Sequence, residues 1–181
     1  MYTKLIKGLL ALTLVTGILT MGTTTMAQAQ TSEGPSSLTE TYGDWIVRCV
    51  TPQAAEGQAA PARVCEMTQE LQQQESGQRV LAVALQTADE AASLTIVAPF
   101  GLLLDEGLKV TVDDAPVIEG RFRTCLPGGC LSVMALDQVG LDKLAAGNSA
   151  TITMRDTTEQ DLALTVSLAG FTAAWNRLKT L

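Results

Sequence analysis

Arg121-Phe122-Arg123-Thr124-Cys125-Leu126-Pro127-Gly128-Gly129-Cys130-Leu131-Ser132-Val133 is the stretch that decides the fold. Two short runs of mixed apolar and polar residues meet at a six-residue loop closed by Cys125 and Cys130. The pattern predicts a β-hairpin tied at its tip by a disulfide. Leu126-Pro127-Gly128-Gly129 suits a type II turn, with Pro127 pre-setting φ and Gly128 free to take φ > 0. Such a bridge persists only in an oxidising compartment, so the hairpin also bears on where the chain works.

The other cysteines extend that reading. Cys49 and Cys65 bring the count to four, an even number that allows three pairings. Pairing Cys49 with Cys65 and Cys125 with Cys130 is favoured, because each pair is close in sequence and sits at the edge of a strand-like run. On the loop-entropy model the first bridge contributes about 3 kcal/mol and the second about 2. A zinc site of four thiolates is the rival. Its usual ligands come as two-residue knuckles, whereas the gaps here are fifteen and four residues. No C-x-x-C redox motif occurs.

The chain's start agrees with export. Lys4 and Lys7 precede a mostly apolar run from Leu9 to Met21, and Ala27-Gln28-Ala29 is a small-residue cleavage pattern. Residues 1–29 are therefore expected to be a cleaved signal peptide. The run is interrupted by Thr13, Thr16, Gly17 and Thr20 and is short for a membrane anchor of about 20 residues. No transmembrane span is expected after cleavage. The net charge is −7. Loss of the two leader lysines leaves ten basic residues against nineteen acidic, or −9. A surface of that sign repels nucleic-acid phosphates and anionic lipid. The sequence contains no His, which removes the commonest general base, metal ligand and pH switch together.

Residues 30–41 are polar and are expected to form a flexible lead-in. The domain then runs over 42–181. Trp45, Val47 and Cys49 share one strand face. Cys65, Met67, Gln69 and Leu71 share another, so the first bridge should cross a hairpin on its inner side. Val80 to Thr87 is apolar on both faces and suits a central strand. Asp89 to Ala92 should turn the chain, and Leu94 to Ala98 should be a strand stopped by Pro99. Further strands are expected from Leu108, Val110 and Val112, and from Val117 to Cys125 running into the hairpin. Ala150, Ile152 and Met154 mark another, and Leu162 to Leu168 the last. Asp137 should cap a short helix with Leu141, Leu144 and Ala145 buried and Gly147 as its stop. Phe171, Ala174, Trp175 and Leu178 fall at helical spacing. Together these predict an all-β domain, an antiparallel β-sandwich of about eight or nine strands with two short helices, one of them C-terminal. A closed barrel is the alternative.

The ordered set Tyr42-Gly43-Asp44-Trp45, Cys65-Glu66-Met67, Pro99-Phe100-Gly101 with Gly107, Cys125-x4-Cys130 and Gly170-Phe171 resembles the invasion-associated locus B family of bacterial exported proteins. The resemblance spans roughly Tyr42 to Leu178. It implies a periplasmic or secreted β-rich domain, linked in some pathogens to host-cell entry and so to virulence. It transfers no catalytic residues.

Several side chains remain as candidates. Asp105-Glu106 and Asp113-Asp114 lack the alternating ligands of a calcium loop and suit turns. Serines lack a His or a nucleophile elbow. Trp175 sits on a buried helical stripe, and Trp45 is open to either a core or a stacking role. Arg121 and Arg123, two apart on one strand face, with Leu126 and Pro127 at the clamped tip, form the candidate partner contact. The expectation is a non-enzymatic exported binding protein without metal or cofactor, whose partner is an unknown protein or envelope component. The alternative is a periplasmic small-ligand carrier with a cavity between its sheets.

Overall fold

A computed structural model describes residues 37–53, 59, 61–88 and 91–181. The expected signal peptide, the first part of the lead-in, the Asp89-Glu90 turn and much of the alanine-rich loop lie outside these residues. The described residues form eleven strands and two helices in two antiparallel sheets. The larger sheet contains β1 (Ser37–Tyr42), β2 (Trp45–Val50), β3 (Val64–Gln72), β4 (Arg79–Ala88), β5 (Ala91–Ala98), β8 (Phe122–Leu126) and β9 (Gly129–Leu136). Their order is β1-β2-β3-β4-β5-β9-β8. The smaller sheet orders β11 (Asp161–Ser167), β10 (Ser149–Arg155), β6 (Leu108–Val112) and β7 (Ala115–Gly120).

Alternation explains the packing. Trp45, Val47, Met67, Leu81, Val83, Leu85, Leu94 and Ile96 point from the larger sheet into one core. Val110, Ile152, Met154 and Val166 meet them from the smaller. Each such aliphatic side chain contributes about 1.5–3 kcal/mol through burial. The β-sandwich is therefore present, and β4 is its central strand as its apolar run predicts.

Three differences from expectation have local causes. First, the polar lead-in ends at Ser37, because Ser37–Tyr42 pairs in register with Val50–Trp45 as edge strand β1. An edge strand with one solvated side needs little apolar content, so its polar sequence conceals it. Second, Val117 to Cys125 is not one strand. The chain leaves the smaller sheet at Gly120 and enters the larger at Phe122, with Arg121 as the link. Ser132 Oγ donates to the Arg121 carbonyl at 2.9 Å and holds that crossing. These two changes raise the strand count to eleven. Third, Ala91 and Ala92 belong to β5 rather than to the preceding turn.

Helix α1 (Gln138–Ala146) starts as predicted. The Asp137 carboxylate accepts from the Gly140 N–H at 2.8 Å. Its buried side is Gly140, Leu141 and Leu144, while Ala145 is exposed. Gly147 ends it at an ordinary φ of −85°. Glycine is required there for space, since a Cβ would strike Val112. Helix α2 (Phe171–Leu178) buries Phe171, Ala174, Trp175 and Leu178. Phe171 stands edge-on to Trp45 with ring centroids 5.3 Å apart. Its end is tied to edge strand β1 by Arg177, whose Nε lies 2.7 Å from Glu40 Oε2.

Candidate functional site

The hairpin that opened the sequence is present as β8 and β9. Cys125 and Cys130 are register partners and are bonded, with Cα atoms 3.9 Å apart. Cys49 and Cys65 are likewise cross-strand partners and bonded, with Cα atoms 4.0 Å apart and Cys49 fully buried. Both predicted pairings hold. The four cysteines are consumed in disulfides, so no described thiolate is available to hold zinc.

The turn differs from the type II expectation. The positive φ, 135°, falls at Gly129 rather than Gly128. Gly129 also lies against Ala98, where a Cβ would stand 2.5 Å from the Ala98 carbonyl oxygen. The tip is therefore pressed onto the end of β5, with Pro99 and Phe100 beside it across a cleft. Arg79, at the start of β4, donates from Nη2 to the Gly128 carbonyl at 2.9 Å. Its Nη1 lies 3.2 Å from Glu70. Bridge, close glycine contact and arginine together fix the tip from three sides.

This junction forms an open cleft of about 340 Å³ with Arg79, Val97, Phe100, Pro127 and Gly128 in its wall. Phe100 is 61% exposed and Leu126 is 51% exposed, so two large apolar groups stand in water on a covalently braced support. Pro127 lies in the cleft wall. Arg121 and Arg123 are both exposed, but strand alternation does not relate them. Arg121 is in the link between sheets, and Arg123 sits where the β8–β9 register shifts between Phe122 and Thr124. Neither forms an ion pair with a described carboxylate. Phe100 and Arg79 carry no local sequence signal of a contact role. Their closeness to the tip comes from the pairing of Ala98 with Cys130, which nothing local encodes.

The other candidates have structural roles. Asp113 and Asp114 take left-handed φ values of 44° and 69° in the β6–β7 turn. The Asp113 carboxylate accepts from the backbone N–H groups of Asn148 and Ser149 at 3.0 and 3.2 Å. The Asn148 backbone N–H leads in holding that carboxyl below its ordinary value. Glu106 lies 3.6 Å from Arg155. Trp45 is a core residue, and its Nε1 donates to the Ser167 carbonyl at 3.0 Å. No group of three acidic or cysteine side chains suited to a metal is found among the described residues.

The space between the sheets opposes the carrier reading. It amounts to about 20 Å³, enclosed by apolar side chains including Trp45, Val83, Ile96, Ile152 and Phe171. That is roughly the room of one water. The inward side chains are long enough to close the gap, so no carried molecule fits there.

Comparison with known proteins agrees over most of the chain. A family model described as "Invasion associated locus B (IalB) protein" matches residues 45–179. An invasion protein B homolog of Brucella abortus (strain 2308) is 34% identical over 150 residues, covering 82% of this chain and 83% of that protein. Invasion protein B of Bartonella bacilliformis is 33% identical over 153 residues, covering 82% and 78%. The crystal structure of invasion associated protein b from Bartonella henselae superposes with a TM-score of 0.68 at 32% identity. It covers 79% of this chain and 95% of that one.

Proposed function

We propose, since this chain belongs to the invasion associated locus B family, that it is an exported interaction protein which performs no chemistry of its own. It presents the Cys125–Cys130 tip to a protein or other component of the envelope or of a host cell. The observation that carries this reading is the pair Phe100 and Leu126, 61% and 51% exposed on a braced junction. Large apolar groups held out in water without freedom to collapse suit partner binding. Two formed disulfides support residence outside the reducing cytoplasm. No described helix is long and apolar enough to cross a membrane. Within that setting the protein stays in the periplasm or is secreted. Arg121 and Arg123 would steer an acidic partner, and their effect should fade with salt.

Crosslinking in intact cells, followed by identification of the bound species, tests the proposal. The same partner should be recovered by the purified protein, and Leu126→Asp combined with Arg123→Glu should weaken its capture while leaving the fold intact. Capture unchanged by that double variant returns the tip to a purely structural role. Reproducible turnover of any substrate would remove the non-enzymatic part of the reading.

A further inference from the structure

The solvent side of the larger sheet carries a second surface. The three adjacent strands β4, β5 and β9 contain one charged residue, Arg79 at the start of β4; from Val80 to Ala88, Ala91 to Ala98 and Gly129 to Leu136 there is none. The inward residues of such strands are apolar by necessity. Antiparallel sheets with one wet face normally place polar or charged groups outward, and here the outward positions are Ala82, Ala84, Gln86, Ser93, Thr95, Val97, Leu131, Val133 and Ala135. Two cross-strand rows show the extent. One runs Thr41, Ile46, Thr68, Ala84, Thr95, Val133 across six strands with no charge. The next runs Glu70, Ala82, Val97, Leu131, Thr124 and has a charge only at its β3 end.

Exposure singles out the same face. Among the described residues eight large hydrophobics are exposed, and four of them point outward from this sheet: Val50, Val64, Leu126 and Val133. Val50 and Val64 are cross-strand partners next to the Cys49–Cys65 bridge. The smaller sheet and both helices pack on the opposite side, with the core. Arg48, Glu66 and Glu70 face the same way from β2 and β3, so the charge-free, partly apolar part is the area over β4, β5 and β9 with a charged flank beside it, the composition of an interface core and rim.

We propose that this face is where a second copy of the chain docks, sheet on sheet, as a two-fold dimer; the inference does not rest on the tip reading, but Leu126 and Arg123 border both surfaces, so Val133 and Ala135 are the substitutions that separate them. Three observations favour a second copy. The chain is strongly acidic, at −7, so two copies repel one another except where charge is absent, and this face is such a place. Its small side chains let two identical pleated surfaces approach to the ordinary sheet-packing distance of about 10 Å. Its rim is self-complementary. Glu70 ends one side of the second row, and Arg123 stands beside Thr124 at the other. A two-fold axis along the strands lays each over the other's counterpart, although Glu70 already shares Arg79 within its own copy. Six strands of this width present a planar area on the order of 600 Å², roughly half of it the charge-free β4, β5 and β9 and the rest a mixed flank, against the ~800 Å² per partner of a stable complex.

Sedimentation of the exported protein, purified from its host, tests this. The wild type should run at twice the chain mass at micromolar concentration. Val133→Asp and, separately, Ala135→Glu should weaken dimerisation by roughly a hundredfold, the effect of an unpaired charge placed in a dry contact, with circular dichroism unchanged. Glu70→Arg and Arg123→Glu should each weaken it, and the two together should restore it. A monomeric wild type overturns the proposal. So does a dimer that survives both face substitutions but is lost on Thr124→Pro, which would be an edge-to-edge pair through β8. If the wild type is monomeric and Val133→Asp instead abolishes a crosslink to another species, the face serves a different partner. Val133 lies outside the tip cleft, so failure here leaves capture by the tip intact and separately measurable.

Discussion

Gln69 and Ser167 bind each other's amide groups in both directions. Gln69 Nε2 donates to the Ser167 carbonyl at 2.9 Å, and the Ser167 N–H donates to Gln69 Oε1 at 2.9 Å. Gln69 is on β3 of the larger sheet and Ser167 ends β11 of the smaller. Nε2 also reaches the Asp44 carbonyl at 3.1 Å. A side chain only 7% exposed thus stitches the two layers where an apolar residue would leave backbone groups unsatisfied. Gln69→Ala should cost about 2–4 kcal/mol, from a cavity plus an orphaned buried N–H. Denaturant unfolding checks it, and a loss no larger than that of a surface substitution would contradict the clamp.

The Glu40–Arg177 pair predicts acid sensitivity at the C-terminus. The Arg177 hydrogen bond leads in holding the Glu40 carboxyl below its ordinary value, with help from Tyr42. A depressed folded value means the contribution is complete above the unfolded carboxylate range, roughly pH 4, and is lost as pH falls through the folded value. Native-state proteolysis should release or fray the α2 end at acidic pH before the rest of the domain. Glu40→Gln should show that fraying already at neutral pH. Identical acid profiles for wild type and variant would sever the pair from α2 docking.

Trp175 is 9% exposed on the inner stripe of α2. Its replacement by Ala should cost about 3–5 kcal/mol. A change within about 0.5 kcal/mol would mark a surface ring instead. Thermal or denaturant unfolding decides between them.

The bridges should differ in weight. Replacing both Cys49 and Cys65 by Ser should cost about 3 kcal/mol, and replacing Cys125 and Cys130 about 2. The first pair closes the longer loop and lies against the core. The second should affect tip binding more than global stability. Unfolding midpoints of the two double variants, compared with their partner capture, test the order. Reversed stabilities would contradict it.

What was legible in the chain was what local chemistry enforces. Helix α2 showed in the spacing of Phe171, Ala174, Trp175 and Leu178. The core strands showed in alternation, as with Ile152 and Met154. The disulfides showed because each pair is close in sequence. What was hidden depends on distant partners. Strand β1 is polar and becomes a strand only by pairing with β2. The break at Arg121 leaves alternation undisturbed while the chain changes sheets. At Gly120 a Cβ would run into Met134, a contact that exists only after both sheets are assembled. The cleft beside Phe100 likewise needs the β5–β9 register, and Gln69 gave no sign of a role beyond its unusual place on an apolar face.

Each bridge also spans the single connection between its two strands. Cys49 and Cys65 stand on either side of the link from β2 to β3, and Cys125 and Cys130 on either side of the β8–β9 turn. A protease that cuts either connection therefore produces no separable fragment. The pieces remain covalently joined and in register, and the nick shows only on a reducing gel. For a protein proposed to work outside the cytoplasm, among host or envelope proteases, the bridges confer tolerance of cleavage as well as stability.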